Sequence, residues 1–335
     1  MNYLKTIARN ILFPTLYKLN IDKWNLHKSN KFNIILMYHG VVNDDSSWFS
    51  PTHIHINQFE KHIEYFKKNF NIIPLNELFY IVNNNIKTDK KNITITFDDG
   101  FKNNLYYALP VLKKYNVPAS IFVTACCIEN NEINCLWTEK ILALMHFYPN
   151  NIIEYKNFTF INYKEKTSNQ SIFEFIKHLG ASERELFIDE LVAKYDLKNK
   201  LKEIPADYWE LFSKDELKKI AQEELIEIGS HGYLHYNLGL IDENTANQEL
   251  IKSKNLLENT IQKEVKSIAY PDGSYNLNVK NLAEKTGYQH QLAVNYHFEE
   301  DKNDKRILNR FGISCTTTFE SNILRLSRSF NKLGH

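Results

Sequence analysis

Ile93-Thr94-Ile95-Thr96-Phe97-Asp98-Asp99-Gly100 reads as a short buried strand that ends in two adjacent carboxylates and a glycine. Apolar Ile93, Ile95 and Phe97 alternate with Thr94, Thr96 and Asp98, the period-2 pattern of a strand with two different faces. Gly100 permits a positive φ where the strand must stop. Two readings compete for the acidic pair. Asp and Gly are common turn residues, so Asp-Asp-Gly reads as a turn. Two neighbouring carboxylates also repel each other without a counter-ion, which suits a metal site or acid–base catalysis. The octapeptide alone divides evenly between the two.

On either side of this strand the chain alternates strand and helix. Ile34 to Tyr38 is a continuous apolar run, as in a strand buried on both faces, and it ends in His39-Gly40. Asn57 reads as an N-cap with Glu60 as its capping-box partner, opening a helix striped by Phe59, Ile63, Phe66 and Phe70. A strand near Ile72-Ile73, helices over Leu75 to Val82 and Asn103 to Tyr115, and a strand from Ala119 to Thr124 complete the first part. From Cys126 to Tyr208 the alternation pauses for several helical stretches and one strand-like run, Phe158 to Asn162. It resumes with a capping box, Ser213 and Glu216, and strands over Ile226 to Gly229, Lys266 to Tyr270, Gln291 to Asn295 and Ile307 to Ser314. The helices between them span Asn244 to Ile261 and Asn278 to Thr286, the second closed by Gly287. So many βα units imply an α/β fold with a parallel sheet, open or closed into a barrel. The expected organisation is an N-terminal extension (1–30), two barrel parts (31–125 and 211–320), a mostly helical insertion (126–210) and a C-terminal tail (321–335).

The composition bounds the function. With 41 basic and 40 acidic residues the net charge is +1, which gives no electrostatic support for nucleic-acid binding. The four cysteines form no CxxC pair or zinc-ribbon spacing and fit a reduced compartment, so a cytoplasmic location is expected. No apolar run approaches the roughly 20 residues of a membrane span, and none matches a signal peptide. The N-terminus carries Leu4, Ile7, Ala8, Ile11 and Leu12 at helical spacing opposite Lys5 and Arg9. Pro14 then interrupts the pattern, and Lys18, Lys23 and Lys28 follow. Residues 1–28 therefore read either as a basic amphipathic contact with the inner membrane face or as a segment packed on its own domain.

Active sites of α/β barrels, and of open α/β sheets, form at the C-terminal ends of the strands. There the first strand delivers His39, and the Ile93 strand delivers Asp98 and Asp99. The Ile226 strand delivers Ser230-His231-Gly232-Tyr233-Leu234-His235, and the Lys266 strand delivers Pro271-Asp272-Gly273-Ser274-Tyr275. A helical turn would put His231 and His235 on one face, able to share a metal; by itself such spacing is more often structural. One Asp and two His make three ligands and leave a position open for water, as in catalytic zinc sites, and the second carboxylate is then available as a base.

Thr96-Phe97-Asp98-Asp99-Gly100, Ser230-His231-x-x-x-His235-x-x-Leu238 and Tyr270-Pro271-x-Gly273, in that order, resemble the polysaccharide deacetylases (the NodB-homology, or carbohydrate esterase family 4, fold). The resemblance implies a distorted (β/α)7-8 barrel. It implies Asp98 as catalytic base and Asp99, His231 and His235 as ligands of a divalent metal, Zn2+ foremost, with Co2+, Ni2+ or Mn2+ as alternatives. Two positions depart from the family: Ala269 stands where an Arg usually precedes the third motif's Pro, and no C-terminal Leu-x-His motif is found. Leu36-Met37-Tyr38-His39-Gly40 resembles a subgroup with that strand permuted to the N-terminus, making His39 the acid, and Arg310 is the candidate to orient Asp98. A backbone N–H near Tyr275 would assist the metal at the oxyanion, with Pro271 beside it. The implied reaction removes the acetyl group of an N-acetylated amino sugar, on a nucleotide- or lipid-linked glycan, in surface polysaccharide or lipopolysaccharide biosynthesis. A deformylase or other amide hydrolase of this fold and an inactive glycan-binding protein are the alternatives. The insertion is expected to set specificity.

Overall fold

A computed structural model of the chain describes residues 11–29, 33–44, 50–129 and 134–333. Helices α1 (Phe13–Lys18) and α2 (Ile21–Lys28) precede strand β1 (Asn33–Tyr38). Pro14 sits in the first turn of α1, which directly follows π-helical Ile11 and Leu12, so the helical run passes through it instead of ending there. The expected stripe from Leu4 to Ala8 lies outside the described residues. β2 (Gly40–Val42) and β3 (His53–His55) pair in parallel, and α3 (Ile56–Asn69) follows. Its cap is His55, whose ring accepts the Asn57 N–H, so the helix begins before the Asn57 cap that the pattern suggested. Next come β4 (Asn71–Ile72), α4 (Leu75–Asn83) and β5 (Asn92–Phe97). A π-helical stretch, Asn104–Ala108, leads into α5 (Leu109–Tyr115) and then β6 (Ala119–Val123).

The insertion comprises α6 (Trp137–Phe147), an antiparallel sheet of β7 (Ile152–Tyr155), β8 (Phe158–Ile161) and β9 (Lys164–Glu165), then α7 (Ile172–Lys177), α8 (Ala181–Lys194) and α9 (Leu197–Lys202). It has its own core of Trp137, Ile141, Leu144, Phe160, Phe175 and Phe187. The sequence pattern anticipated only β8. β7 and β9, four residues and two, are too short for a periodic signal to stand out.

The chain returns with α10 (Lys214–Ala221), which has the expected Ser213–Glu216 capping box. β10 (Ile226–Ser230), α11 (Glu243–Ile261), β11 (Ser267–Ala269), α12 (Leu277–Thr286), β12 (His290–Ala293), β13 (Ile307–Asn309), β14 (Phe311–Gly312) and α13 (Phe319–Leu333) complete it. The main sheet runs β13-β12-β11-β10-β6-β5-β1-β14, every pair parallel, with β4 beside the start of β5. Only Arg310 separates β13 from β14, so the two ends of the sheet are halves of one broken strand and the sheet is a nearly closed barrel. The continuous strand expected from Ile307 to Ser314 is thus interrupted at one residue. The last residues, expected as a tail, form α13, which packs against α1 and α2.

β5 and β6 are buried along their whole length, as parallel strands covered on both faces must be. Gly229 is required for that packing on β10: a Cβ there would lie 2.4 Å from the Phe122 ring.

Candidate active site

β1, β5, β10 and β11 end on one rim. Their last residues deliver His39, Asp98 with Asp99, His231 with His235, and the turn Pro271–Gly273 to a cavity of about 470 Å³. The Asp98 N–H donates to the Tyr38 carbonyl (3.0 Å), which carries the β1–β5 ladder one step past the strand end. Asp99 (φ 74°) and Gly100 (φ 86°) then adopt left-handed backbone in succession. This conformation is costly for Asp99 and natural for Gly100. Asp-Asp-Gly is therefore a turn, and the turn is what separates the two carboxylates and leaves them facing different partners.

Asp98 engages Arg310, the residue at the barrel seam. Arg310 Nη1 lies 2.6 Å from Asp98 Oδ1, and Nη2 lies 2.7 Å from Oδ2, a bidentate pair buried on both sides. Burial by itself would raise the Asp98 pKa. The Arg310 charge, then His231, outweigh it and hold the carboxyl below its ordinary value. Arg310 thus reaches the acid from the far edge of the sheet. At Ala269, where the related motif has an arginine, only the backbone is used, as described next.

Asp99 faces the two histidines. Its Oδ1 lies 3.4 Å from His231 Nε2 and 3.3 Å from His235 Nε2, and the three ligand atoms all fall within 4.8 Å of one another. Burial would raise the Asp99 pKa, but hydrogen bonds from His231 and His235 hold it well below the carboxylate range. The loop carrying the histidines makes no helical turn; left-handed Gly232 (φ 76°) and His235 (φ 57°) bring the rings together instead. His231 Nδ1 lies 2.8 Å from the Ala269 carbonyl. That contact aims the ring, so that Nε2 faces Asp99: as N–H it donates to the carboxylate, and deprotonated it would offer its lone pair to a metal. Two imidazoles and a carboxylate, converging at one point, fit a divalent cation such as Zn2+.

His39 is half-buried and lines the same cavity, its carbonyl accepting from Asn104 Nδ2 (3.0 Å). His53 is walled in against Gly40 and Phe101, with burial first lowering its pKa to about 3; it and His62 are core residues. Pro271 opens the rim turn, from which Asp272 and Gly273 line the cavity. Tyr275 does not reach it. The tyrosine backbone packs against Gly239, its ring stacks on Tyr270 and His297, and its hydroxyl is bound by Asp301.

Sequence reading missed the far wall, where the insertion contributes Thr138, Glu139, Leu142 and Phe173. Glu139 is 3% exposed and accepts the Thr138 hydroxyl hydrogen bond (2.6 Å). Burial, and then the Asp99 charge, push its carboxyl up to about 8, so at neutral pH it is largely protonated.

Residues 85–290 match the family model for polysaccharide deacetylase. The Bacillus subtilis (strain 168) protein YxkH, whose name places it among the polysaccharide deacetylases, is 25% identical over 256 residues. The match covers 76% of this chain and 62% of that protein's length. Among solved structures, the Streptococcus pyogenes deacetylase PplD superposes with a TM-score of 0.56 at 18% identity, covering 89% of this chain and 98% of its own. A de-N-acetylase from Aggregatibacter actinomycetemcomitans gives 0.55 at 18% identity, over 88% and 98%. IcaB from Ammonifex degensii gives 0.57 at 14% identity, over 90% and 98%. These structures share the barrel, and the family match spans most of the residues that build its rim: the chain belongs to the polysaccharide deacetylase family.

Proposed function

We propose that the protein hydrolyses the acetamide of an N-acetylated amino sugar in glycan biosynthesis, with Asp98 as base and His39 as acid. The observation that carries this reading is the division of labour between adjacent aspartates: Asp98 is held ionised by Arg310, and Asp99 converges with His231 and His235. A divalent ion held by Asp99, His231 and His235, most simply Zn2+, would supply Lewis-acid polarisation of the carbonyl and the water. Asp98 takes the proton of the attacking water. His39, on the same cavity, delivers a proton to the leaving nitrogen as the C–N bond breaks, giving acetate and a free amine. Acetate release from N-acetylhexosamine glycosides, lost on chelation and restored by metal, is the expected result. Release of formate from an N-formyl substrate in its place would overturn the acetyl assignment.

The cavity bears on the substrate's charge. Among the described residues no Lys or Arg lines it, and Asp272, on its rim, already pairs with Lys177 (3.4 Å). A diphosphate would find no basic side chain there, so the sugar that enters is uncharged and a nucleotide or lipid carrier stays outside. Glu139 and Phe173 give the insertion its part in specificity, a carboxyl for a sugar hydroxyl or amide and an aromatic face for the ring. Glu139→Ala is expected to raise KM about 3- to 10-fold, the worth of one hydrogen bond, and to leave kcat within about twofold. Glu139→Gln, which keeps a donor, should stay near wild type.

No helix among the described residues is long and apolar enough to cross a membrane. A peripheral contact is supported by the outer face of α1 and α2, where Leu19 and Trp24 are 65% and 54% exposed beside exposed Lys18, Lys23 and Lys28. The acidic residue of α2, Asp22, is turned inward and accepts the Tyr65 hydroxyl hydrogen bond (2.5 Å). Such a face suits an anionic bilayer surface, and with it a lipid-linked substrate. The chain is expected to co-sediment with phosphatidylglycerol-containing vesicles at low salt, and Trp24→Ala with Lys23→Glu to abolish this. Equal sedimentation of that variant would contradict the contact.

A further inference from the structure

We infer that Arg184, on helix α8 of the insertion, is a positioning residue for the metal ligand His235. The inference rests on the reading of Asp99, His231 and His235 as metal ligands.

The loop after β10 is held by its carbonyls, one after another. The Gly232 carbonyl accepts the Ala125 N–H, and the Tyr233 carbonyl accepts the Cys126 N–H, both at 3.0 Å. The next two carbonyls share one guanidinium: Arg184 Nη2 donates to Leu234 O (2.7 Å) and Nη1 to His235 O (3.0 Å). From the other side, Glu249 Oε2 accepts the N–H groups of Tyr233 and Leu234, each at 2.9 Å. Arg184 is itself immobilised. It is 3% exposed, its guanidinium lies 3.7 Å from the centre of the Tyr236 ring, and Glu185 Oε1 accepts from its Nε (3.3 Å) and Nη2 (3.2 Å). A buried guanidinium is tolerated only when its donors are used, and here they are used on the backbone of a ligand loop.

His235 depends on that grip more than His231 does. The His231 ring is aimed by its own bond to the Ala269 carbonyl, whereas His235 Nδ1 is buried with no hydrogen-bond partner among the described residues. Among the described residues Asp99 alone offers the His235 imidazole a polar partner, beside an edge-on contact with the His231 ring, so its aim depends on its backbone, which sits in the left-handed region (φ 57°). A histidine released from such a conformation relaxes toward ordinary φ and swings its ring out of line. The subdomain that walls the substrate cavity therefore also sets the geometry of the ligand set.

The test is the affinity of the full chain for Zn2+ or Co2+, measured by competition with a chromophoric chelator, together with melting temperatures with and without metal. Arg184→Gln can reach one carbonyl at most and loses the ring contact, so its metal dissociation constant should rise roughly 10- to 100-fold, as for other residues that orient a ligand. The upward shift of melting temperature on adding metal should shrink with it. Arg184→Lys keeps the charge but offers a single point donor, and should weaken binding by a few-fold. Wild-type metal affinity in both variants, with melting temperatures lowered equally with and without metal, would make Arg184 merely structural and overturn the inference. If Arg184→Gln does not fold, Arg184→Lys decides: weakened binding supports the role and unchanged binding overturns it. A wild-type chain that binds no metal would instead remove the ligand reading itself, and this inference with it.

Discussion

Replacing Arg310 by glutamine is expected to cost about 3–5 kcal/mol of folding stability and to abolish measurable turnover. The stability loss follows from leaving one member of a buried ion pair without its partner. Asp98 is 2% exposed and Arg310 1% exposed, so water cannot replace the guanidinium. The turnover loss follows because burial, no longer opposed by Arg310, raises the Asp98 pKa and favours a protonated carboxyl that cannot accept a proton from water. The two effects have opposite pH dependence, which makes them separable. In the wild type the Asp98 pKa is depressed, so its stabilisation is fully present above the unfolded value of roughly 3.9 and is lost only as pH falls through the lower folded value. In the variant the folded pKa is raised, so the penalty is fully present above it and disappears as pH falls toward the unfolded value. Denaturant unfolding with chelator present should show the gap between the two proteins narrowing as pH falls from 7 to about 4. A gap that stays constant would mean that Asp98 does not depend on Arg310 for its charge.

Asp98→Asn should reduce kcat by roughly 10²- to 10⁴-fold, the usual contribution of a general base, while leaving metal affinity near wild type. Asparagine is isosteric and can still accept one guanidinium N–H, but it too breaks the buried ion pair, so turnover is compared per folded molecule. Asp99, His231 and His235 are untouched, so the donor set is intact. The split between lost turnover and retained metal is what distinguishes the two aspartates. If Asp98→Asn and Asp99→Asn lost metal equally, the assignment of separate roles would fail. His39→Ala offers a parallel check on the acid: turnover per folded molecule should fall far more than stability, whereas a packing histidine would show the reverse.

Much of this site could be read in the sequence because strand ends carry it. A buried parallel strand announces itself as an apolar run, and the residues after it must lie on the rim, so His39, Asp98, Asp99 and His231 were placed by counting from strands. What could not be read depends on contacts distant in the chain. Arg310 was already the candidate from its place beside the last strand, but its bidentate grip on Asp98, 212 residues away, comes from the closing of the sheet, which no local pattern encodes. The partner of His231 is a backbone carbonyl, invisible to any residue code. Tyr275 was misplaced because a rim turn of three residues, with Asp272 (φ 54°) and Gly273 (φ 66°) both left-handed, carries the chain away from the cavity before Tyr275. Arg184 did leave a signal: it occupies the apolar stripe of α8 with Phe187, Ile188 and Leu191, where a charge has no place unless something buried needs it. Glu139 left none, since nothing local to α6 says that this turn of the helix faces the barrel.

The most direct measurement pairs metal content with chemistry on one sample. Protein stripped by chelator and titrated with Zn2+ is assayed for acetate released from an uncharged N-acetylhexosamine glycoside, with Asp99→Asn alongside. The account predicts that acetate release rises in step with bound metal, saturates at one ion per chain, and is missing from Asp99→Asn together with the tight site. Acetate release at full rate from metal-free protein, or a saturated metal site in Asp99→Asn, would contradict it.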